Sequence, residues 1–349
     1  MLPMTDGKII TKYFENEHYR VLFNQKTGFF MRCEDDGFPE PRWSAHGPEL
    51  IDLSITSFCQ RGCSFCYRGA NDTFYHHLRL DDVRNVVVQA AECGTLQMAL
   101  GGGNPNQHPN FIEILRLIRK NGIVPSYTTN GDGLTDDVLR ATADYCGAMA
   151  VSVYPPFDEE YYRELIERIK SYGIKVNLHA IIREDNLSLW TKWLLTPSAF
   201  LESVNAIIFL NYKPIGKDGG TLMPRDRVEL ERFFRATNEC KAVKIGFDSC
   251  SISGIVRWMN VPNELIESCE AARFSAFISE DLKMYPCSFM IDKEWCGDLR
   301  QSSLKDIWQK NVFFHKFRDY ALPGQCVGCK FVGVCKGGCR LFEEINFCW

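Results

Sequence analysis

Six strand-then-helix segments follow one another from residue 50 onward, and this rhythm constrains the fold more than any other feature of the chain. Residues 50–55 read as a strand, followed by a helix capped by Asp81 with Val83, Val86, Val87, Ala90 and Ala91 on one face. Residues 96–100 form the next strand. After a Gly-rich turn, Phe111, Ile114, Leu115 and Ile118 make the inward stripe of a helix ended by Gly122. Strands at 123–128, 148–153, 174–182 and 204–210 alternate with helices at 134–145, 158–172, 187–195 and 225–237. Serial units of this kind demand a parallel sheet with right-handed crossovers, either doubly wound or curled toward a barrel. Periodicity alone does not choose between the two. Ahead of the series, strand-like runs at 19–23 and 29–33 flank a turn at 24–28, so residues 1–48 are expected to form a β extension of one or two hairpins.

Past residue 240 the rhythm gives way to short segments punctuated by Cys and Gly, as when metal ligands replace part of a hydrophobic core, which places a domain boundary near 238. A chain of 349 residues, 45% hydrophobic and 24% charged, has ample core for two such domains. Its formal net charge of −4 leaves no basic excess for a general binder of nucleic acid or anionic membrane. The first residues lack an apolar signal core and runs such as 206–210 are too short to span a bilayer, so the expected compartment is the cytoplasm. That compartment also argues against disulfides for the sixteen cysteines, eight of which lie between Cys269 and Cys348 and three within Cys59–Cys66.

Cys59, Cys63 and Cys66 form a C-x3-C-x2-C array in the loop after the first strand of the series, where parallel barrels place their active sites. Three thiolates can hold three irons of a 4Fe-4S cluster and leave the fourth open as a Lewis-acidic seat for a small molecule. The alternative is a structural zinc site, which needs a fourth ligand, and the next candidates, His76 and His77, lie beyond a polar loop.

This triad, with the aromatic Phe65 before its last cysteine, resembles the signature of the radical S-adenosylmethionine (radical SAM) superfamily. The resemblance implies that the cofactor's amino and carboxylate groups chelate the open iron, and that reduction cleaves it to a 5'-deoxyadenosyl radical. Gly101–Gly102–Gly103–Asn104–Pro105 resembles the family's G-G-E-P segment, which binds the cofactor amine, with Asn104 where an acid is common. Thr129 and Asn130 lie in a segment that reads equally as a cofactor contact or as a plain turn. Ser152 resembles the family's ribose or carboxylate contact. Asn177 and His179 alternate with apolar neighbours and face the interior; Asn177 is taken as a cofactor contact and His179 as a hydrogen-bonded core histidine. Lys213, at the end of the sixth strand, is read as either a carboxylate binder or a solvated cation.

Cys326, Cys329, Cys335, Cys339 and Cys348, preceded by Cys269 and Cys287, resemble the SPASM domain, which holds two auxiliary 4Fe-4S clusters. The resemblance assigns Cys326, Cys329, Cys335 and Cys348 to the outer cluster and Cys269, Cys287 and Cys339 to the inner one. Cys250 is the first candidate for the missing inner ligand and Cys296 the second, with an open iron as a third possibility. A zinc ribbon over Cys326–Cys339 is the non-cluster alternative. Leu282 stands where the family usually has glycine. Cys33, Cys93, Cys146 and Cys240 belong to no motif and read as small buried hydrophobes.

The implied fold is α/β: a partial (β/α)6 TIM-type barrel at 49–238 with a cysteine-rich SPASM domain at 239–349. The implied cofactors are S-adenosylmethionine and three 4Fe-4S clusters, with a reductant such as flavodoxin or ferredoxin. The expected substrate is a ribosomally made peptide, with thioether or carbon-carbon crosslinking the favoured reaction and epimerisation, a sulfatase-maturating type of oxidation or a small-molecule substrate as alternatives. Ser288 sits where sulfatase-maturating relatives carry an acidic base, and a serine does not replace a carboxylate without a partner. Residues 1–48 are too few and too strand-rich for a winged-helix leader-recognition domain, so either a separate recognition protein is a further partner or the hairpin and barrel rim bind the substrate by strand addition or pocket contacts. A non-catalytic iron-sulfur protein and a zinc-binding interaction module are the competing classes.

Overall fold

The computed structural model describes residues 9–26, 28–154, 158–197, 199–290 and 294–348. Three antiparallel strands, β1 (Ile9–Phe14), β2 (Tyr19–Asn24) and β3 (Phe30–Glu34), open the chain in the order β1-β2-β3. Two hairpins thus make up the extension. Its Arg32 guanidinium is buried, bonds Glu49 at 2.8 Å and Glu270 at 2.9 Å, and lies on the Phe274 ring. One cation thereby ties the extension to the start of the barrel and to a segment more than two hundred residues later.

The six expected units follow: β4 (Leu50–Thr56) and α1 (Leu80–Glu92), β5 (Gln97–Gly102) and α2 (Phe111–Lys120), β6 (Val124–Thr129) and α3 (Asp136–Tyr145), β7 (Ala148–Val153) and α4 (Glu159–Ser171), β8 (Val176–Ile182) with α5 (Leu187–Leu195) and α6 (Ala199–Glu202), and β9 (Ala206–Asn211) with α7 (Arg227–Glu239). Helix α1 begins two residues earlier than its sequence suggests. Arg79 occupies the cap position without a side-chain bond, and Asp81 lies inside the first turn, where a carboxylate favours the positive end of the helix dipole.

Strands β4 to β9 pair in chain order, each parallel to the last, and β10 (Lys244–Phe247) extends the same edge. A doubly wound sheet would reverse direction at its first strand. This winding does not, so the choice left open by periodicity falls to the barrel. On the far side of β4 the sheet continues through β11 (Ser275–Ile278), β12 (Lys283–Tyr285) and β13 (Gly297–Asp298), so the barrel is partial and its two ends differ. Helix α8 (Ile252–Trp258) follows β10, and α9 (Leu304–Lys310), α10 (Val312–Arg318) and α11 (Val332–Cys335) complete the cysteine-rich end. The expected boundary near 238 falls at the end of α7, while β10 and β11 carry the parallel sheet beyond it.

Outward positions of the strands (Ile51, Leu53, Met98, Leu100, Tyr127, Met149, Val151, Leu178, Ile207) join the helices in one hydrophobic core. Inward positions are smaller and more polar: Asp52 pairs in register with Ala99, Ala99 with Ser126, Thr128 with Ala150 and Ser152 with His179. Side chains of that size do not fill a barrel as layers of Val, Ile and Leu do, which leaves room inside for a ligand. Among the described residues no helix is long and apolar enough to cross a membrane.

Candidate active site and metal centres

Strand β4 gains one residue on β5 between Ser54 and Thr56, a bulge that kinks the chain as it enters the cysteine loop. The loop is then held from below by backbone. Gly103 N donates to Thr56 O at 2.6 Å and Asn104 N to Phe58 O at 2.7 Å. A Cβ on Gly102 would lie 2.1 Å from Thr56 O, and one on Gly103 would lie 2.0 Å from Phe58 O. The glycines are therefore required for the loop's close approach to β5. From the side, Arg61 grips Asp132 through two bonds of 3.1 Å and Asn130 O at 3.0 Å. Gly216 and Asp218, in the loop after β9, close over Ser64 and Phe65.

So held, Cys59, Cys63 and Cys66 are mutual electrostatic neighbours. Burial pushes the Cys63 thiol up, and the nearby Cys66 and Cys59 add to it, while Arg61 pulls it back. Thiolates that repel one another in a partly buried loop form a site that favours a shared cationic centre. Asn130 Nδ2 stands 3.6 Å from Cys59 Sγ, a donor aimed at the sulfur.

Most of the remaining residues expected at the site gather around this loop. The Phe65 ring lies 5.0 Å from Tyr154, with the Arg183 guanidinium 4.8 Å above it and held by Asp185. The side chain of Asn104 is committed to the protein: Nδ2 donates to Gln107 Oε1 and Asp132 O, and Oδ1 accepts from Thr129 Oγ1 and Asn130 N. It works as a bracket joining the loop after β5 to the loop after β6. Ser152 sits at the carboxyl end of β7, hydrogen-bonded to Tyr154. Asn177 is placed differently. Its Oδ1 accepts from Asn205 Nδ2 at 2.7 Å near the amino end of β8, some five residues and ~16 Å below the end of that strand. His179 faces inward with Nδ1 3.1 Å from Thr128 Oγ1, and burial pushes its pKa down to about 4, as befits a neutral core imidazole. Lys213 is buried, donating to Asp248 Oδ2 and Asn211 O at 2.7 Å each, with Phe289 4.7 Å away.

Two groups inside the barrel mouth escaped sequence reasoning. Asp52 is lifted to about 6 by burial, and its charge acts on the Tyr67 phenol, which hydrogen-bonds Ser288. Its signal was the alternation Asp52, Ser54, Thr56 within an apolar strand. Arg68 pairs with Glu280, which also accepts from Ser54 Oγ at 2.6 Å, while Arg68 Nε and Nη1 are buried without a hydrogen-bond partner. Buried donors of that kind are costly unless something accepts from them.

Behind the mouth, thiols fall into two further sets. Cys250 hydrogen-bonds Cys339, which keeps the proton on Cys250. Burial, with Cys250 next, raises Cys269 to about 11; burial, Cys269 and Cys250 raise Cys287. Cys250 therefore stands among Cys269, Cys287 and Cys339. Cys296 instead faces Lys283 and Tyr285. In the second set Cys348 is raised to about 11 by burial and then by Cys335, Cys326 and Cys329. Leu282 adopts φ +63, the left-handed conformation that glycine takes without strain. Among the described residues no three His, Cys, Asp or Glu side chains converge on a single-ion site. The donor sets, three thiols and then four and four, fit iron-sulfur clusters with one open iron at the mouth.

A family model of the radical SAM superfamily matches residues 53–198, and one of an iron-sulfur cluster-binding domain, SPASM, matches residues 269–330. The chain is 22% identical to the AdoMet-dependent heme synthase of Methanosarcina barkeri, over 84% of this chain and 92% of that one. It is also 22% identical to the PqqA peptide cyclase of Ruegeria pomeroyi, over 88% and 86%. Structures of Streptococcus suis SuiB share the fold: bound to S-adenosylmethionine (TM-score 0.75, 14% identity, 96% of this chain and 95% of that one) and bound to the precursor peptide SuiA (TM-score 0.74, 14% identity, 96% and 94%).

Proposed function

We propose that the chain, which a radical SAM superfamily model matches over residues 53–198 and a SPASM model over residues 269–330, binds three 4Fe-4S clusters and modifies a ribosomally made peptide, most simply by a thioether or carbon-carbon crosslink. Residues 49–238 serve as the catalytic barrel, 239–349 as the auxiliary domain and 1–48 as an amino-terminal extension, in a cytoplasmic enzyme. S-adenosylmethionine, if bound at the mouth held by Cys59, Cys63 and Cys66, would supply radical chemistry for removing a substrate hydrogen atom, with one electron drawn from an external reductant. Cys59, Cys63 and Cys66 hold the cluster at the mouth. Gly102, Gly103, Asn104, Thr129 and Asn130 fix the loop that carries it, and Phe65 and Ser152 border the cofactor. Cys326, Cys329, Cys335 and Cys348 hold the outer auxiliary cluster. Cys250, Cys269, Cys287 and Cys339 hold the inner one.

The observation that carries this reading is the three-thiol loop over an interior of small side chains, with two sets of four thiols behind it. Four protein ligands at every cluster would suit an electron carrier; three at the mouth leave a seat for a cofactor. The PqqA peptide cyclase likeness over most of both chains supports a peptide substrate. Asp52, close to the Tyr67 phenol that Ser288 bonds, provides a carboxyl near neutrality where proton removal is needed. The test is the intact mass of a short peptide encoded beside the gene, co-expressed with the enzyme and with Cys59→Ala. Loss of two hydrogens per event with the wild type alone supports the proposal. An unchanged mass with no deuterium uptake from heavy water overturns it.

A second reading rests on the heme-synthase likeness, which spans 84% of the chain. It places a porphyrin in the barrel and is tested by heme formation from an iron-porphyrin precursor under the same reductant.

A further inference from the structure

Helix α7 presents Arg227, Val228, Glu231, Arg232 and Arg235 along one face, at the i, i+4 and i+8 spacings that share a side of a helix. Arg257 and Trp258, at the end of α8, complete a surface groove of about 420 Å³. Four arginines and one glutamate line it, on a protein whose net charge is −4. Arg232 is paired with Glu229 and Arg235 with Glu231, whereas among the described residues Arg227 and Arg257 have no ion pair. Val228 is 60% exposed beside them. Arginine and tryptophan around an exposed apolar residue are the composition of a protein-docking surface.

The groove's position identifies what docks there. It lies on the outer helical wall, cut off from the barrel interior by the packed rings of Phe233 and Phe209. An electron carrier needs only a short path to a cluster, and such a path begins at the groove. The Trp258 ring is 5.5 Å from Phe234, and Phe234 is 5.5 Å from Phe347, the neighbour of Cys348. Gly254 lacks a side chain where α8 crosses these rings; a Cβ there would lie 2.3 Å from Phe234. At its other end α8 is preceded by the Ser249–Ser251 turn, which carries Cys250. Electron-transfer encounters are small and charge-steered, which suits a groove of this size.

We infer that the α7–α8 groove is the docking surface for an acidic one-electron carrier protein of the flavodoxin or ferredoxin type, which delivers electrons to the auxiliary cluster held by Cys326, Cys329, Cys335 and Cys348. In the flavodoxin case the anionic flavin hydroquinone loses one electron to become the neutral semiquinone, the cluster core gains that electron, and no proton moves. The inference rests on the cluster assignments proposed above.

The test uses the full chain, reconstituted anaerobically and mixed in stopped flow with photoreduced flavodoxin at about 50 and about 300 mM salt. An Arg227→Glu/Arg257→Glu double variant is expected to slow reduction at low salt by about tenfold or more, and the wild-type rate is expected to fall toward that of the variant at high salt. Photoreduction by a small deazaflavin, which needs no docking, and iron content are expected to match the wild type, showing that the variant is folded and loaded. Full iron with an unchanged or salt-independent flavodoxin rate overturns the docking surface alone. Wild-type iron well below about twelve per chain overturns the cluster reading beneath it. Binding of a glutamate-rich peptide that the double variant abolishes, with the flavodoxin rate unaffected, assigns the groove to an acidic peptide and also overturns the inference.

Discussion

Tyr67 packs against Phe289 with ring centroids 4.6 Å apart, joining the residue after Cys66 to the segment just after Cys287. Lys213 Nζ lies 4.7 Å from the same Phe289 ring and is bonded to Asp248, two residues before Cys250. The loop at the barrel mouth and the loops bearing the auxiliary thiols are therefore one packed unit, and changes at their contacts have separable consequences.

Gly103→Ala is expected to strip the mouth cluster. The added Cβ meets backbone at Phe58 O, so the chain carrying Cys59 has to move. Iron is expected to fall from about twelve to about eight per chain. Gly101→Ala is the control, since nothing lies within 4 Å of its Cβ position, and it is expected to keep its iron.

Cys250→Ala and Cys296→Ala are expected to separate cleanly. The first removes a thiol that hydrogen-bonds Cys339 and acts on Cys269 and Cys287. Its iron is expected to drop by about four per chain. The second touches Tyr285 and Lys283 and is expected to leave iron unchanged. Iron assay with visible absorbance decides between them.

Lys213→Met breaks a buried ion pair. Burial alone would depress the Lys213 pKa, but the charge and hydrogen bond of Asp248 hold the ammonium charged above its usual value. Removing the cation strands Asp248, at an expected cost of about 3–5 kcal/mol, read as a lower denaturant midpoint at unchanged slope. A Lys213→Met/Asp248→Asn double variant removes both charges and is expected to recover most of the loss.

His108 makes stability depend on acid. Nε2–H donates to Leu78 O at 2.9 Å, Nδ1 accepts from Asn110 N at 3.0 Å, and burial pushes the pKa down to about 4. The unfolded imidazole titrates near its ordinary 6.5, so the unfolded chain takes up a proton first as pH falls. The contribution is complete above about 6.5 and lost progressively toward about 4, at most about 3 kcal/mol. His179 shares the window. Denaturant titrations across that range are expected to show the slope, and His108→Asn is expected to reduce it by about half, leaving the His179 share.

The strand-helix series and the cysteine sets were legible in the sequence because each is a local pattern: the stripe of α2, the spacing of Cys59, Cys63 and Cys66, the run from Cys326 to Cys339. Barrel over doubly wound sheet was not legible, since it depends on the pairing order of strands dozens of residues apart. The sequence allows for a second hairpin but does not place strand β1 itself, because Ile9–Phe14 is an edge strand with Ile9 and Tyr13 exposed and only Phe14 buried. Asn104 looked like a ligand contact from its motif, yet both ends of its amide are spent on Gln107, Asp132, Thr129 and Asn130. Leu282 is the reverse case. The residue departs from the usual glycine while the backbone keeps glycine's conformation, at a strain of about 1–2 kcal/mol.

Strand β11 pairs with β4 in parallel, Ser275 opposite Leu50 through Ile278 opposite Leu53. During synthesis β4 emerges early, and the cysteine loop directly after it hangs from an unfinished sheet edge until some two hundred further residues have left the ribosome. Contacts so distant in the chain form late. The first cluster site thus acquires its final walls only when the strand leading into the auxiliary domain arrives, and premature termination anywhere between β9 and β11 leaves a nascent chain with the three mouth thiols on an open edge.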